Sequence, residues 1–89
     1  MQANAKQLPE DYVLVLQQIN EDGGDGFDDL AEALNIERGR LGHIVQSLYH
    51  KGLIMIDYAA SRESWMSLST KGKRFVTYLW PESNRSYGY

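Results

Sequence analysis

Along the first half of the chain apolar positions recur at helical spacing, with polar or turn-forming residues between the runs. Pro9, Glu10 and Asp11 are residue types favoured in a first helical turn, and Tyr12, Val15, Leu16 and Ile19 then share one face. This predicts a first helix over residues 9–21. The three glycines of "NEDGGDG" end it, and this acidic run reads as a solvated connector. "FDDLAEAL" predicts a short second helix with Phe27, Leu30, Ala31 and Leu34 turned inward. A tight turn at Asn35 and Ile36 leads into a third helix, about residues 37–51. There Leu41, Ile44, Val45 and Leu48 recur at spacings of three, four and seven, Tyr49 widens the stripe, and Gly52 stops it.

The period then changes from helical to alternating. "LIMIDY" and "ESWMSLS", rich in β-branched and aromatic residues, predict two strands joined by "AASR" as a hairpin. Ser69 or Thr70 is placed to cap a fourth helix, "KGKRFVTYL", whose inward stripe is Phe75, Tyr78 and Leu79 and which Pro81 ends. The predicted fold class is therefore α+β and mostly α: three helices, a two-stranded hairpin and a C-terminal helix. It forms one domain over residues 9–80, with a flexible N-terminus at 1–8 and a disordered tail at 81–89.

Eighty-nine residues support a single core and one binding surface. The absence of cysteine excludes disulfides, thiolate metal sites and a cysteine nucleophile. The longest apolar runs, "YVLVL" and "GLIMI", fall far short of the roughly 20 residues that span a bilayer. No secretory pattern opens the chain, so a cytoplasmic protein without membrane partners is expected. No glycine-rich phosphate loop precedes a lysine and no nucleophile elbow is present, which predicts neither enzymatic activity nor a cofactor. His43 and His50, seven residues apart, are separated by about 10.5 Å of helical rise, too far for one metal ion. "EDGGDGFDDLAE" sets Asp25, Gly26, Asp29 and Glu32 at calcium-loop positions, but Glu21, Gly23 and Asp28 break the pattern. No metal site is expected.

The net charge of −3 conceals a division of charge along the chain. Residues 1–35 hold one base, Lys6, and eight acids, whereas residues 36–89 hold eight bases and four acids. One basic face on an acidic body is the pattern of a protein that attracts phosphates while staying soluble. The third helix carries that face. If Leu41 marks the buried direction, then at 100° per residue Gly39, His43, Gln46, Ser47 and His50 lie opposite, with Arg40 and Gly42 at the flanks. Gln46 can bond bidentately to adenine, Arg40 can reach guanine or a phosphate, and His43 and Ser47 can each donate or accept at a base edge. Gly39 and Gly42 each cost roughly 1 kcal/mol in a helix interior but let the backbone approach a partner closely. Arg38 and Arg40 stand where the incoming chain meets anions. Lys51, Arg62, Lys71, Lys73 and Arg74 complete a candidate phosphate-positioning set.

These residues carry a resemblance. "LAEALNIERGRLGHIVQSLYHKGLI" resembles, without a gap, the stretch of MarR-type and related winged-helix regulators that runs from Leu-Ala through a tight turn and a recognition helix to Lys-Gly-Leu-Ile. "MSLSTKG" is similar to that family's strand ending in Leu-Thr, followed by Lys-Gly. The resemblance covers about residues 10–79. It implies a winged helix-turn-helix with the third helix in the major groove of double-stranded DNA, phosphate contacts at its first turn, and the hairpin wing at the neighbouring minor groove. The function so implied is sequence-specific transcriptional regulation. Leu14, Val76 and Trp80 are apolar positions left off the predicted stripes, which predicts a homodimer. The alternative reading is a winged-helix protein-interaction module in a larger assembly, which the acidic N-terminal third would suit.

Overall fold

The structure, a computed structural model, describes residues 8–58 and 64–79. Helix α1 spans Glu10–Asp22, with Glu10 and Asp11 at its positive end and Pro9 opening it through its carbonyl oxygen, which accepts from Tyr12 N at 3.1 Å. Gly23 closes it in the left-handed region at φ 79°, where its N–H reaches Ile19 O at 2.9 Å. Tyr12, Val15, Leu16 and Ile19 are buried, as their spacing requires.

The glycine-rich segment that follows is not a solvated connector. Asp25–Gly26 forms a short strand, β1, antiparallel to the later strand β3 at Trp65–Leu68, with Asp25 opposite Met66 and Gly26 opposite Trp65. Phe27 N extends the pairing to Ser64 O at 3.1 Å. Gly24 and Gly26 are buried, and a Cβ at Gly24 would collide with the Trp65 indole. The expected two-stranded hairpin is thus the larger part of a three-stranded sheet ordered β1-β3-β2, with β2 at Ile54–Asp57. Tying β1 into the sheet has an electrostatic cost. Burial, then a hydrogen bond with Asp22 and the charges of Asp22 and Asp29, push the Asp25 carboxyl up to about 7. Its Oδ2 is buried without a hydrogen-bond partner.

Helix α2, Phe27–Leu34, ends at Asn35 in the left-handed region at φ 54°, and Ile36 N bonds back to Ala31 O at 3.0 Å. This tight reversal launches α3, Arg38–His50, across the core. Leu41, Ile44, Val45 and Leu48 are buried, while Tyr49 stays half exposed and meets His50 edge to face rather than widening the inward stripe. Gly52, at φ 78°, turns the chain into β2. Across β2 and β3 the register runs from Ile54 opposite Leu68 to Asp57 opposite Trp65. Ile54, Met66 and Leu68 are buried in the core, whereas Met55 and Trp65 are exposed.

Helix α4 spans Thr70–Leu79, and its buried stripe is rotated about the helix axis from the one read from the sequence. Gly72 and Val76 are its buried positions, Phe75 packs partly on the core, and Tyr78 is exposed. The cause lies at Gly72. A Cβ there would run into the Leu53 carbonyl oxygen, so this glycine is pressed against the segment after α3, and Val76, one turn later, follows it inward. Val76 accordingly leaves the set of apolar residues expected at the surface. Trp80 and the tail at 81–89 lie outside the described residues, as does the N-terminus at 1–7.

Candidate nucleic-acid interface

The exposed side of α3 is built as its periodicity predicts. With Leu41, Ile44 and Leu48 fully enclosed, Gly39, His43, Gln46 and His50 are exposed, and Ser47 and Gly42 are half exposed. No Leu, Ile, Val, Met or Phe stands on this face, and the half-exposed Tyr49 lies along its Gly42 flank. Among the described residues a Cβ at Gly42 would meet nothing within 4 Å beyond its own helix backbone, so none of them requires a glycine there. At Gly39 the nearest atom to a Cβ would be Glu37 Oε2 at 3.4 Å, the end of a flexible side chain. The His50 ring turns back on its own helix, with Nδ1 2.9 Å from Gln46 O. A carbonyl oxygen can only accept, so Nδ1 carries the proton and Nε2 of the neutral ring is left as an acceptor.

The two arginines at the start of α3 are not open to solvent on all sides. Arg38 pairs with Asp28 of α2 through Nη1 and lies over the Phe27 ring, 5.1 Å from its centroid. Arg40 crosses to α1, where Nη2 and Nε donate to Asp11 Oδ2 at 2.8 and 3.1 Å. The Arg40 bond holds the Asp11 carboxyl below its ordinary value, and Asp11 in turn raises the Arg40 guanidinium. Sequence reasoning missed Asp11, Phe27 and Asp28. The separations of ten positions between Arg38 and Asp28 and 29 between Arg40 and Asp11 are bridged by tertiary structure, which no periodicity reports.

The remaining cations divide. Lys71 Nζ donates to Lys51 O at 2.9 Å, so the first turn of α4 caps the carbonyl end of α3 and brings Lys51 and Lys71 together. Ser69 Oγ donates to Gly52 O at 2.6 Å and accepts from Gly72 N at 2.9 Å, fixing the same junction. Lys73 lies elsewhere, beside Asn20, Met55 and Ser67 in a hollow of about 270 Å³ between the end of α1 and the sheet. Arg74 is exposed on α4, and Arg62 falls outside the described residues. Among the described residues no group of three or more His, Asp or Glu side chains is arranged to hold a metal ion. No helix among them is long and apolar enough to cross a membrane.

A tight helix-turn-helix, its second helix carrying an open polar face, followed by the antiparallel pair β2 and β3, is a winged helix-turn-helix fold. Solved structures share this fold. SlyA, a transcriptional regulator, superposes with a TM-score of 0.77 at 21% identity over 96% of this chain and 61% of its own. BpsR of Bordetella bronchiseptica, described for the regulation of its DNA binding by 6-hydroxynicotinic acid, matches with a TM-score of 0.76 at 18% identity over 89% of this chain and 57% of its own. A mutant of MarR from E. coli complexed with operator DNA matches with a TM-score of 0.75 at 18% identity over 84% and 55%. The chain thus spans less than two thirds of the length of each of these proteins. By sequence, no family model and no curated protein matches it.

Proposed function

We propose that this chain is a sequence-specific DNA-binding domain of a cytoplasmic transcriptional regulator, acting as a homodimer with α3 in the major groove. The observation that carries this reading is the outer face of α3: small or hydrogen-bonding residues, with no neighbour among the described residues that would need Gly42 small. Gln46, His43, Ser47 and His50 face the base edges, and Gly39 and Gly42 let the backbone approach. Lys51 and Lys71 at the end of α3 and Arg74 on α4 supply phosphate contacts, and Arg38 anchors the start of α3, whereas Lys73 is set apart in the hollow beside α1 and the sheet. That a neighbour of the same fold was solved on operator DNA supports the assignment. Leu14, 41% exposed on α1, and Tyr78, 58% exposed on α4, are apolar surface for a second copy.

The second reading, a protein-interaction module, is favoured by Met55 and Trp65, both exposed on the outer side of the sheet. A salt titration of binding to mixed-sequence duplex separates the two. Neutralising about five phosphates gives a slope near −4.5 in log affinity against log salt concentration. Absence of binding at low salt selects the protein-interaction reading.

A further inference from the structure

Arginine offers five N–H donors on two edges, a side edge of Nε with Nη2 and an end fork of Nη1 with Nη2. In Arg40 the side edge is occupied, because Nε and Nη2 both converge on one oxygen of Asp11. Both protons of Nη1 and the second proton of Nη2 remain, and they form the fork that fits two adjacent acceptors. Asp11 is a firm anchor for such a fork. It sits in the first turn of α1, where the helix dipole favours a carboxylate, and it acts on Arg40 from a different helix. Arg38 is held differently, since it is Nη1, an atom of the end fork, that bonds Asp28.

The charge of the pair decides what the fork suits. Arg40 with Asp11 is net neutral, so it draws a phosphate weakly, and the Asp11 carboxylate repels one nearby. The O6 and N7 atoms of guanine carry no formal charge and ask only for two aligned donors. We propose that Asp11 is a positioning residue that locks Arg40 at the start of α3 with its end fork presented to a guanine, making Arg40 a determinant of sequence specificity and not a phosphate contact. This rests on the reading of α3 as the helix that enters the major groove.

The test uses the full chain and two probes: the duplex that the unaltered protein enriches from a random-sequence pool, and a mixed-sequence duplex. Asp11→Ala should lower the ratio of the two affinities roughly tenfold, the scale of one bidentate base contact, while mixed-sequence binding holds or tightens because a negative charge has gone. Arg40→Ala should lower the ratio by a similar factor, and adding Asp11→Ala to it should change the ratio no further. Asp11→Asn, which keeps an acceptor oxygen, should retain most of the ratio, and Arg40→Ala alone carries the test if the Asp11→Ala protein does not fold. An unchanged ratio, or equal weakening on both duplexes, overturns the proposal while leaving DNA binding intact. A protein that binds neither duplex overturns the reading of α3 itself.

Discussion

The Ser69 hydroxyl donates to Gly52 O at 2.6 Å while accepting from Gly72 N at 2.9 Å, so one oxygen fastens the end of α3 to the beginning of α4. Ser69→Ala removes the cap and leaves both groups without this partner, which should cost about 1 kcal/mol in chemical denaturation. Gly72→Ala should cost more, about 1–3 kcal/mol, because the added methyl meets the Leu53 carbonyl and backbone cannot step aside as a side chain can. A Gly72→Ala protein as stable as the parent would show that this junction is looser than described.

Asp25 makes stability fall as pH rises. Its carboxyl is pushed up to about 7 in the folded state, against 3.8 for an ordinary aspartate, so between those values the folded state holds more protons than the unfolded one. The contribution is complete below about pH 4 and is lost as pH rises through 7. Asp22 from α1 and Asp29 from α2 are the acids that oppose its ionisation, after burial itself. Asp25→Asn, neutral at every pH, should melt higher than the parent at pH 8 and match it more closely at pH 5. Thermal melts at the two values check this. Asp11 runs the other way in a separate window, contributing above its ordinary value and losing that contribution as pH falls through its lowered one.

The helices and the helix-turn-helix are legible in the sequence because each buries one stripe of residues such as Val15, Leu16 and Ile19, and burial at fixed spacing leaves a periodic trace. β1 is not legible, since Asp25 and Gly26 are too few to alternate and are held by pairing with β3. The phase of α4 is hidden for a related reason. Val76 and Tyr78 are both apolar, and what turns Val76 inward is the contact between Gly72 and a carbonyl 19 positions earlier in the chain. The exposed face of α3 can be read by elimination from Leu41, whereas the acids that hold Arg38 and Arg40 cannot.

Base-reading and phosphate-positioning residues should separate by their effect on sequence choice. Gln46→Ala should cost about 1–3 kcal/mol on the enriched duplex and relax one base pair, whereas Arg74→Ala should weaken all duplexes alike and lower the salt slope by about one unit. Neither residue is buried, so melting temperatures should stay nearly constant. Anisotropy titrations on the two duplexes at several salt concentrations give both quantities.

Self-association should depend on α1. Leu14 is exposed on a helix whose other large apolar residues are buried or half buried, and Leu14→Asp should shift a dimer to monomer in sedimentation equilibrium without changing the helical signal in circular dichroism. A parent protein that is monomeric at high micromolar concentration would remove the dimer from the account.

If α3 keeps a glycine-rich outer face so that DNA can approach its backbone, Gly42→Leu should separate folding from binding. Among the described residues no atom beyond α3's own backbone lies within 4 Å of a Cβ built at Gly42, and leucine is the better helix former by close to 1 kcal/mol, so the variant should melt no lower than the parent. Its affinity for the enriched duplex, measured by fluorescence anisotropy at low salt, should fall at least about tenfold, because the side chain fills the space the groove would occupy. A Gly42→Leu protein that is folded and binds that duplex as tightly as the parent would show that DNA does not approach the α3 backbone at Gly42.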